Sequence, residues 1–192
     1  MDVGASHVTR HTSQVTSLCV PLTLACVLLG GCGYTTRPGL ASHLKTVYVK
    51  PFENKIDMTQ LTTGDERFPI YRHQMEVDLT KEIVNRYQFT GLLRPISRER
   101  ADCRVEGELI GFHRDALRYD ASQQIEEWRL SVVVNLRFFD QTTKTLLWEE
   151  SGFTGDTTYF TLGANAESET DALSRAITDL ARRIVERTVE DW

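Results

Sequence analysis

The run Glu127-Trp128-Arg129-Leu130-Ser131-Val132-Val133-Val134-Asn135-Leu136-Arg137-Phe138 decides the fold. Trp128, Leu130, Val132, Val134, Leu136 and Phe138 occupy every second position, with Glu127, Arg129, Ser131, Asn135 and Arg137 between them. In an extended chain successive side chains point to opposite faces, so this pattern predicts a strand over Ile125 to Phe139 with one core face and one polar face. Neighbouring segments repeat the pattern. Upstream, Cys103, Val105, Gly107, Leu109 and Gly111 alternate with Arg104, Glu106, Glu108, Ile110 and Phe112, which places the first set inward over Cys103 to His113. Downstream, Asp140-Gln141-Thr142-Thr143-Lys144 reads as a turn into a returning strand from Thr145 to Phe153, extending to Tyr159 past a bend at Gly155-Asp156. Three strands in a meander result.

Before the meander, Thr46-Val47-Tyr48-Val49-Lys50-Pro51-Phe52 is β-branched and stops at a proline, which predicts a first strand. Glu53 to Phe68 is polar and reads as a loop. From Pro69 to Tyr87, Met75, Leu79 and Ile83 recur at four-residue spacing, the mark of an amphipathic helix. A last helix is predicted over Ser168 to Asp191, where Leu173, Ala176, Ile177, Leu180 and Ile184 share a face and Ser168 with Asp171 forms the cap. The order strand, helix, three strands, helix predicts an α+β two-layer sandwich. Its sheet is roughly four-stranded and mostly antiparallel, covered on one face by two helices.

The N-terminal segment carries a different signal. Leu18 to Leu29 is apolar apart from interruptions such as Pro21 and Thr23, and it ends in Leu29-Gly30-Gly31-Cys32. The run is about half of the roughly 20 residues needed to cross a bilayer. Small residues follow it where a peptidase seats extended backbone, so residues 1–31 read as a lipoprotein signal peptide cut between Gly31 and Cys32. The Cys32 thiol is the nucleophile that accepts diacylglycerol, and each buried methylene of the acyl chains adds about 0.8 kcal/mol to membrane attachment. Residues 32–44 then form a lipidated tether, and 45–192 a single domain.

Net charge is −5 with both signs interspersed, which excludes a polybasic nucleic-acid surface. Among the 5 histidines, His43, His73 and His113 are widely separated, and no His/Cys grouping has zinc spacing, so no metal or cofactor is expected. Adjacent carboxylates at Glu126-Glu127 and Glu149-Glu150 point to opposite faces of a strand rather than converging as acid and base. Ser131, Ser151 and Ser174 lack a nucleophile elbow. No catalytic set emerges, and the expectation is a protein that is not an enzyme. Cys103, the one mature cysteine besides Cys32, reads as a buried thiol. The sheet's uncovered face carries Ile110, Phe112, Val133 and Phe139 among charges, a pattern that fits either a partner surface or ordinary ion pairing of Glu106 and Glu108 with Arg129 and Arg137.

Taken in order, Cys32-Gly33-Tyr34 with Arg37, the strand Lys45 to Val49, Leu79-Thr80 in the first helix, Glu127 to Val134 with Phe138, Leu147-Trp148-Glu149 and the closing helix resemble the LptE family of lipopolysaccharide-assembly lipoproteins. The resemblance implies a lipid-anchored domain on the periplasmic face of the outer membrane. In that family the domain plugs the LptD barrel, assists its assembly and contacts lipopolysaccharide on the way to the cell surface. Gly33 stands where an aspartate would retain a lipoprotein at the inner membrane, which agrees with outward sorting. For lipid phosphates the matching chemistry is arginine, whose planar guanidinium donates two parallel hydrogen bonds, and Arg114, Arg118, Arg129 and Arg137 are the candidates. The rival reading from the same residues is an envelope scaffold lipoprotein that binds another periplasmic protein or the cell wall.

Intact-mass analysis of protein extracted from membranes is expected to show residues 1–31 removed and Cys32 carrying acyl chains. A free Cys32 thiol with residues ahead of it still attached would contradict the lipobox reading.

Overall fold

Period-two alternation becomes three long antiparallel strands, and the helical stripes become the layer that buries one of their faces. The computed structural model describes residues 41–56 and 74–189, less the side chain of Glu99. The predicted signal peptide, Cys32, most of the predicted tether, the Asp57 to Phe68 part of the predicted loop and the predicted helix start at Pro69 lie outside the described residues. In chain order the elements are β1 (Thr46–Val49), β2 (Glu53–Asn54), α1 (Met75–Thr90), β3 (Arg94–Pro95), a 3-10 turn at Arg98–Arg100, β4 (Cys103–Tyr119), β5 (Ile125–Asp140), β6 (Thr145–Phe160) and α2 (Glu169–Val189).

The sheet is six-stranded and mixed, in the order β3-β1-β4-β5-β6 with β2 also on β4. This corrects the expectation of about four mostly antiparallel strands. The α+β class stands, with a parallel flank formed by β1, β2 and β3 joined to the antiparallel meander. The flank escaped the sequence because β2 and β3 are two residues each, too short to show a period. Glu53 and Asn54, read as loop, resume beside β4 after Pro51 interrupts β1. Pro95 is tolerated because β3 is an edge strand. Arg94 and Ile96 donate their N–H groups to Lys45 and Val47 carbonyls at 2.9 Å, which leaves the donor-less Pro95 nitrogen between those bonds.

Packing follows the predicted stripes. Met75, Leu79, Ile83 and Tyr87 of α1 are buried, as is the run from Ala172 to Val189 on the inner face of α2, against Val47, Val105, Leu109, Leu130, Val134, Leu136 and Phe138 of the sheet. At the far ends of the two helices the fully buried Tyr87 hydroxyl meets Thr188 Oγ1 at 2.8 Å, and burial pushes the tyrosine pKa upward. The cap is as expected: Asp171 N–H donates to Ser168 Oγ at 3.2 Å and Ser168 Oγ to Asp171 Oδ2 at 2.7 Å.

Two residues are on the opposite face from that expected. A register shift between Leu109 and Gly111 makes Ile110 the extra residue of a bulge, which inverts the alternation downstream and puts Gly111, expected inward, opposite Val133 on the uncovered face. Phe112, expected on the uncovered face, is therefore 3 % exposed in the core.

Two glycines permit close approach. Phe52 lays its ring over Gly107, where a Cβ would lie 2.0 Å from the ring, and α2 crosses β6 at Gly155, where a Cβ would lie 2.4 Å from Leu180 Cβ and 2.6 Å from its Cα. Because the second clash is with helix backbone, no rotamer relieves it. Gly155→Ala is expected to lower stability by about 1–3 kcal/mol, read as a shifted denaturation midpoint. An unchanged midpoint would show that α2 does not press on β6 there.

Candidate functional site

The helices occupy one side of the sheet, and the strand registers fix what lies on the other. Cross-strand rows on that face run Arg118-Glu127-Phe160, Asp115-Arg129-Thr158, His113-Ser131-Asp156, Gly111-Val133-Thr154, Glu106-Arg137-Glu149 and Arg104-Phe139-Leu146. Arg129, His113, Asp156 and Glu149 are exposed there, whereas the β5 positions between them are half-buried by their neighbours. The face is thus a charged ladder with Val133 and Phe139 set into it.

The candidate arginines do not converge. Arg114 points into the helix side: the bulge at Ile110 sends it with Phe112 and Ala116 rather than with Glu106 and Glu108. Its Nη1 lies 2.7 Å from Glu169 Oε2 and its guanidinium 4.3 Å from the Trp128 ring centroid. Tyr159 O–H donates to the same Glu169 oxygen at 3.3 Å, and burial together with the Glu169 charge raises the tyrosine pKa. Arg114 is therefore a brace between β4 and the first turn of α2. Arg118 and Arg129 share the uncovered face in adjacent rows, Arg118 lying 3.4 Å from Glu127 and over the Phe160 ring at 5.6 Å. Arg137 sits eight residues along β5 from Arg129, about 26 Å at strand rise. There it faces Glu106 and Glu108, each at 3.9 Å, while Glu106 also meets Arg104 at 3.1 Å. The pairing read for Glu106 and Glu108 thus involves Arg137, and Arg129 stands opposite Asp115 instead.

Other arginines seal the helix–sheet seam. Arg183 and Arg187, four residues apart on α2, lie over the Phe153 and Trp148 rings at 5.4 and 5.3 Å, and Arg187 Nε is 3.0 Å from Glu150. Their i,i+4 spacing was visible in the sequence, but which rings they would cover depended on the β6 register.

Where the tether joins the domain, His43 Nε2 meets Asp140 Oδ2 at 2.7 Å, and Asp140 Oδ1 accepts N–H bonds from Thr142 and Thr143 at 2.7 and 3.1 Å. Burial alone would raise the Asp140 pKa, but the His43 contact and the Thr143 and Thr142 donors outweigh it and hold the carboxyl at about 2. Next to it, Asp102 accepts from Thr46 Oγ1 at 2.8 Å and from the Lys45 and Thr46 N–H groups, and the Thr46 hydroxyl bond leads the causes that lower its pKa. Cys103 is buried, its S–H donating to Thr46 carbonyl oxygen at 3.2 Å, and burial pushes its pKa up to about 12, so it is not a poised nucleophile. Among the described residues no group of His, Cys, Asp and Glu has the arrangement to hold a metal ion, and no helix is long and apolar enough to cross a membrane.

These features define a class: a mixed sheet of six strands backed on one face by two helices, with a charged ladder on the other. The family model LptE, described as lipopolysaccharide-assembly, matches residues 44–188, and the chain belongs to the LptE family. Membership makes it a lipoprotein of lipopolysaccharide assembly. Among solved structures, protein XCC0632 from Xanthomonas campestris is similar in fold, with 12 % identity, 81 % of this chain and 88 % of that chain covered, and a TM-score of 0.53. The hypothetical protein CT253 from Chlamydia trachomatis aligns at 15 % identity over 75 % of this chain and 95 % of that chain, with a TM-score of 0.46. A comparison with curated proteins returns no match.

Two outcomes follow. Arg114→Ala is expected to cost about 1.5–3 kcal/mol of stability, because it removes a charge-assisted bond and a stacked cation together, whereas exposed Arg129→Ala stays within about 0.5 kcal/mol. Equal effects would contradict the brace. For Asp140 the folded pKa lies below the ordinary 3.8, so its stabilisation is present above that value and is lost as pH falls toward about 2. Acid unfolding of Asp140→Asn is expected to be flatter than that of wild type across this window, and parallel curves would refute the clamp.

Proposed function

We propose that the protein is a non-enzymatic lipoprotein of the outer membrane, held on its periplasmic face by acyl chains on Cys32. There it plugs and helps assemble an LptD-like lipopolysaccharide-export barrel and contributes to delivery of lipopolysaccharide to the cell surface. The observation that carries this reading is the family match over residues 44–188, which takes in every strand and both helices of the described domain except Val189 at the end of α2. The uncovered face supports it: its mixed charges and few apolar residues suit the polar interior of a transmembrane barrel better than they suit lipid.

Within this reading Arg118 and Arg129 are the lipopolysaccharide contacts. They lie in adjacent rows near the β4–β5 turn, and Arg129 has no ion-pair partner among the described residues, so its guanidinium is available to a phosphate. Arg137 is held between Glu106 and Glu108, and Arg114 is committed to Glu169 and Trp128, so neither is assigned that role.

A tag placed after Trp192 is expected to retrieve, from detergent-extracted outer membranes, a large barrel protein together with lipopolysaccharide. The double variant Arg118→Ala/Arg129→Ala is expected to keep the barrel and retain about tenfold less lipopolysaccharide, the loss of one or two charge-assisted bonds. Recovery of the chain only as a free monomer would refute the barrel partnership. Unchanged lipopolysaccharide in the variant would refute the two arginines.

A further inference from the structure

We propose that the end of the domain where the tether arrives is a docking surface for the phosphate headgroups of an anionic bilayer. The case begins with how the cations are paired. Arg114, Arg118, Arg137, Arg175, Arg183 and Arg187 each lie within 4.0 Å of a carboxylate. By contrast Lys45, Arg94, Arg98, Arg100 and Lys144 are exposed and have no ion-pair partner among the described residues. Outside this group only Lys81 and Arg129 share that condition among the described residues.

The fold gathers those five at one end. The Arg94 N–H donates to the Lys45 carbonyl at 2.9 Å across the β1–β3 pair. Gln141 ties the 3-10 turn to the β5–β6 turn, its Nε2 donating to the Ala101 carbonyl at 3.0 Å and its N–H to the Asp102 carbonyl at 2.8 Å. Arg98 and Arg100 line a shallow concavity with Ala101, Gln141 and Thr142, and Lys144 closes the same turn. The carboxylates of Asp102 and Asp140 at this end are engaged inward by the Thr46 hydroxyl, backbone N–H groups and His43.

Exposed apolar residues lie at the same end. Phe89 in the last turn of α1 is 83 % exposed, and Leu92, Leu146 and Leu147 are 47 %, 48 % and 45 % exposed where β3 and β6 begin. Basic side chains interspersed with exposed leucine and phenylalanine are the composition of a surface that seats in the headgroup layer, the cations on phosphate and the apolar tips below them. The opposite end, around the β4–β5 turn, is mixed in sign, with Asp115, Asp120, Glu126 and Glu127 beside Arg118 and Arg129.

The tether gives the orientation, and this step rests on lipidation at Cys32. Ala41 is nine residues past Cys32, so the domain's near end lies within about 32 Å of the anchor even if the tether is fully extended. His43 and buried Leu44 fix the incoming chain to this end.

The test uses the lipidated mature protein in vesicles of phosphatidylcholine, with and without phosphatidylglycerol, carrying a nitroxide on the headgroup. One fluorophore goes on Thr142→Cys at the proposed surface and another on Ser122→Cys at the opposite turn, since buried Cys103 is protected from labelling. The Thr142 probe is expected to be quenched several-fold more than the Ser122 probe in anionic vesicles. That difference should fall by at least half in high salt or in Arg98→Gln/Arg100→Gln/Lys144→Gln, and should persist in Lys81→Gln. Thermal melts of both charge variants check that they fold. Equal quenching at the two positions, or quenching indifferent to lipid charge, would overturn the docking surface while leaving the anchor intact. A chain that fails to float with the vesicles would overturn the anchor itself, and the orientation with it.

Discussion

The constraint on which the structure depends is that β5 can bury only one of its two faces. Its 16 residues pair with β4 on one side and β6 on the other, so no lateral edge is left and all its selectivity lies in the faces. Leu130, Val134 and Leu136 are fully buried on the inner one. Each such side chain contributes about 1.5–3 kcal/mol when removed from water, and a slip of one residue would exchange this set for Arg129, Ser131, Asn135 and Arg137. The register is thereby fixed, and with it the position of every side chain on the neighbouring strands. Two helices suffice to cover the inner face, and the outer face remains a ladder of charges.

What was legible in the sequence was whatever repeats. The strand β5, the α1 stripe of Met75, Leu79 and Ile83, the α2 stripe and its Ser168–Asp171 cap all depend on local periodicity and are where they were expected. What was not legible depends on single residues or on long-range pairing. The bulge at Ile110 is one additional residue with no composition of its own, yet it moves Phe112 into the core and turns Arg114 from a surface cation into a brace. The parallel flank rests on two-residue strands recognisable only by their partners. The four candidate arginines looked equivalent as residue types. Register separates them into one brace on the helix side, one held between glutamates, and two in adjacent rows near the β4–β5 turn.

Net charge concealed the same kind of asymmetry. A total of −5 says nothing of where the charges lie; at the His43 end Lys45, Arg94, Arg98, Arg100 and Lys144 have no ion-pair partner among the described residues, while at the opposite end carboxylates accompany Arg118 and Arg129. Under the proposed function this separation would give the two ends different tasks. One would rest against the leaflet that holds the anchor, and the other would present Arg118 and Arg129 toward the cargo. The uncovered sheet face between them would be the surface offered to a barrel wall.

The most direct measurement is photocrosslinking in cells from a reactive residue placed at Ser131, in the middle of that face. The account predicts an adduct with a large, heat-modifiable outer-membrane barrel protein. Adducts with soluble periplasmic proteins or with the cell wall, and none with a barrel, would contradict it.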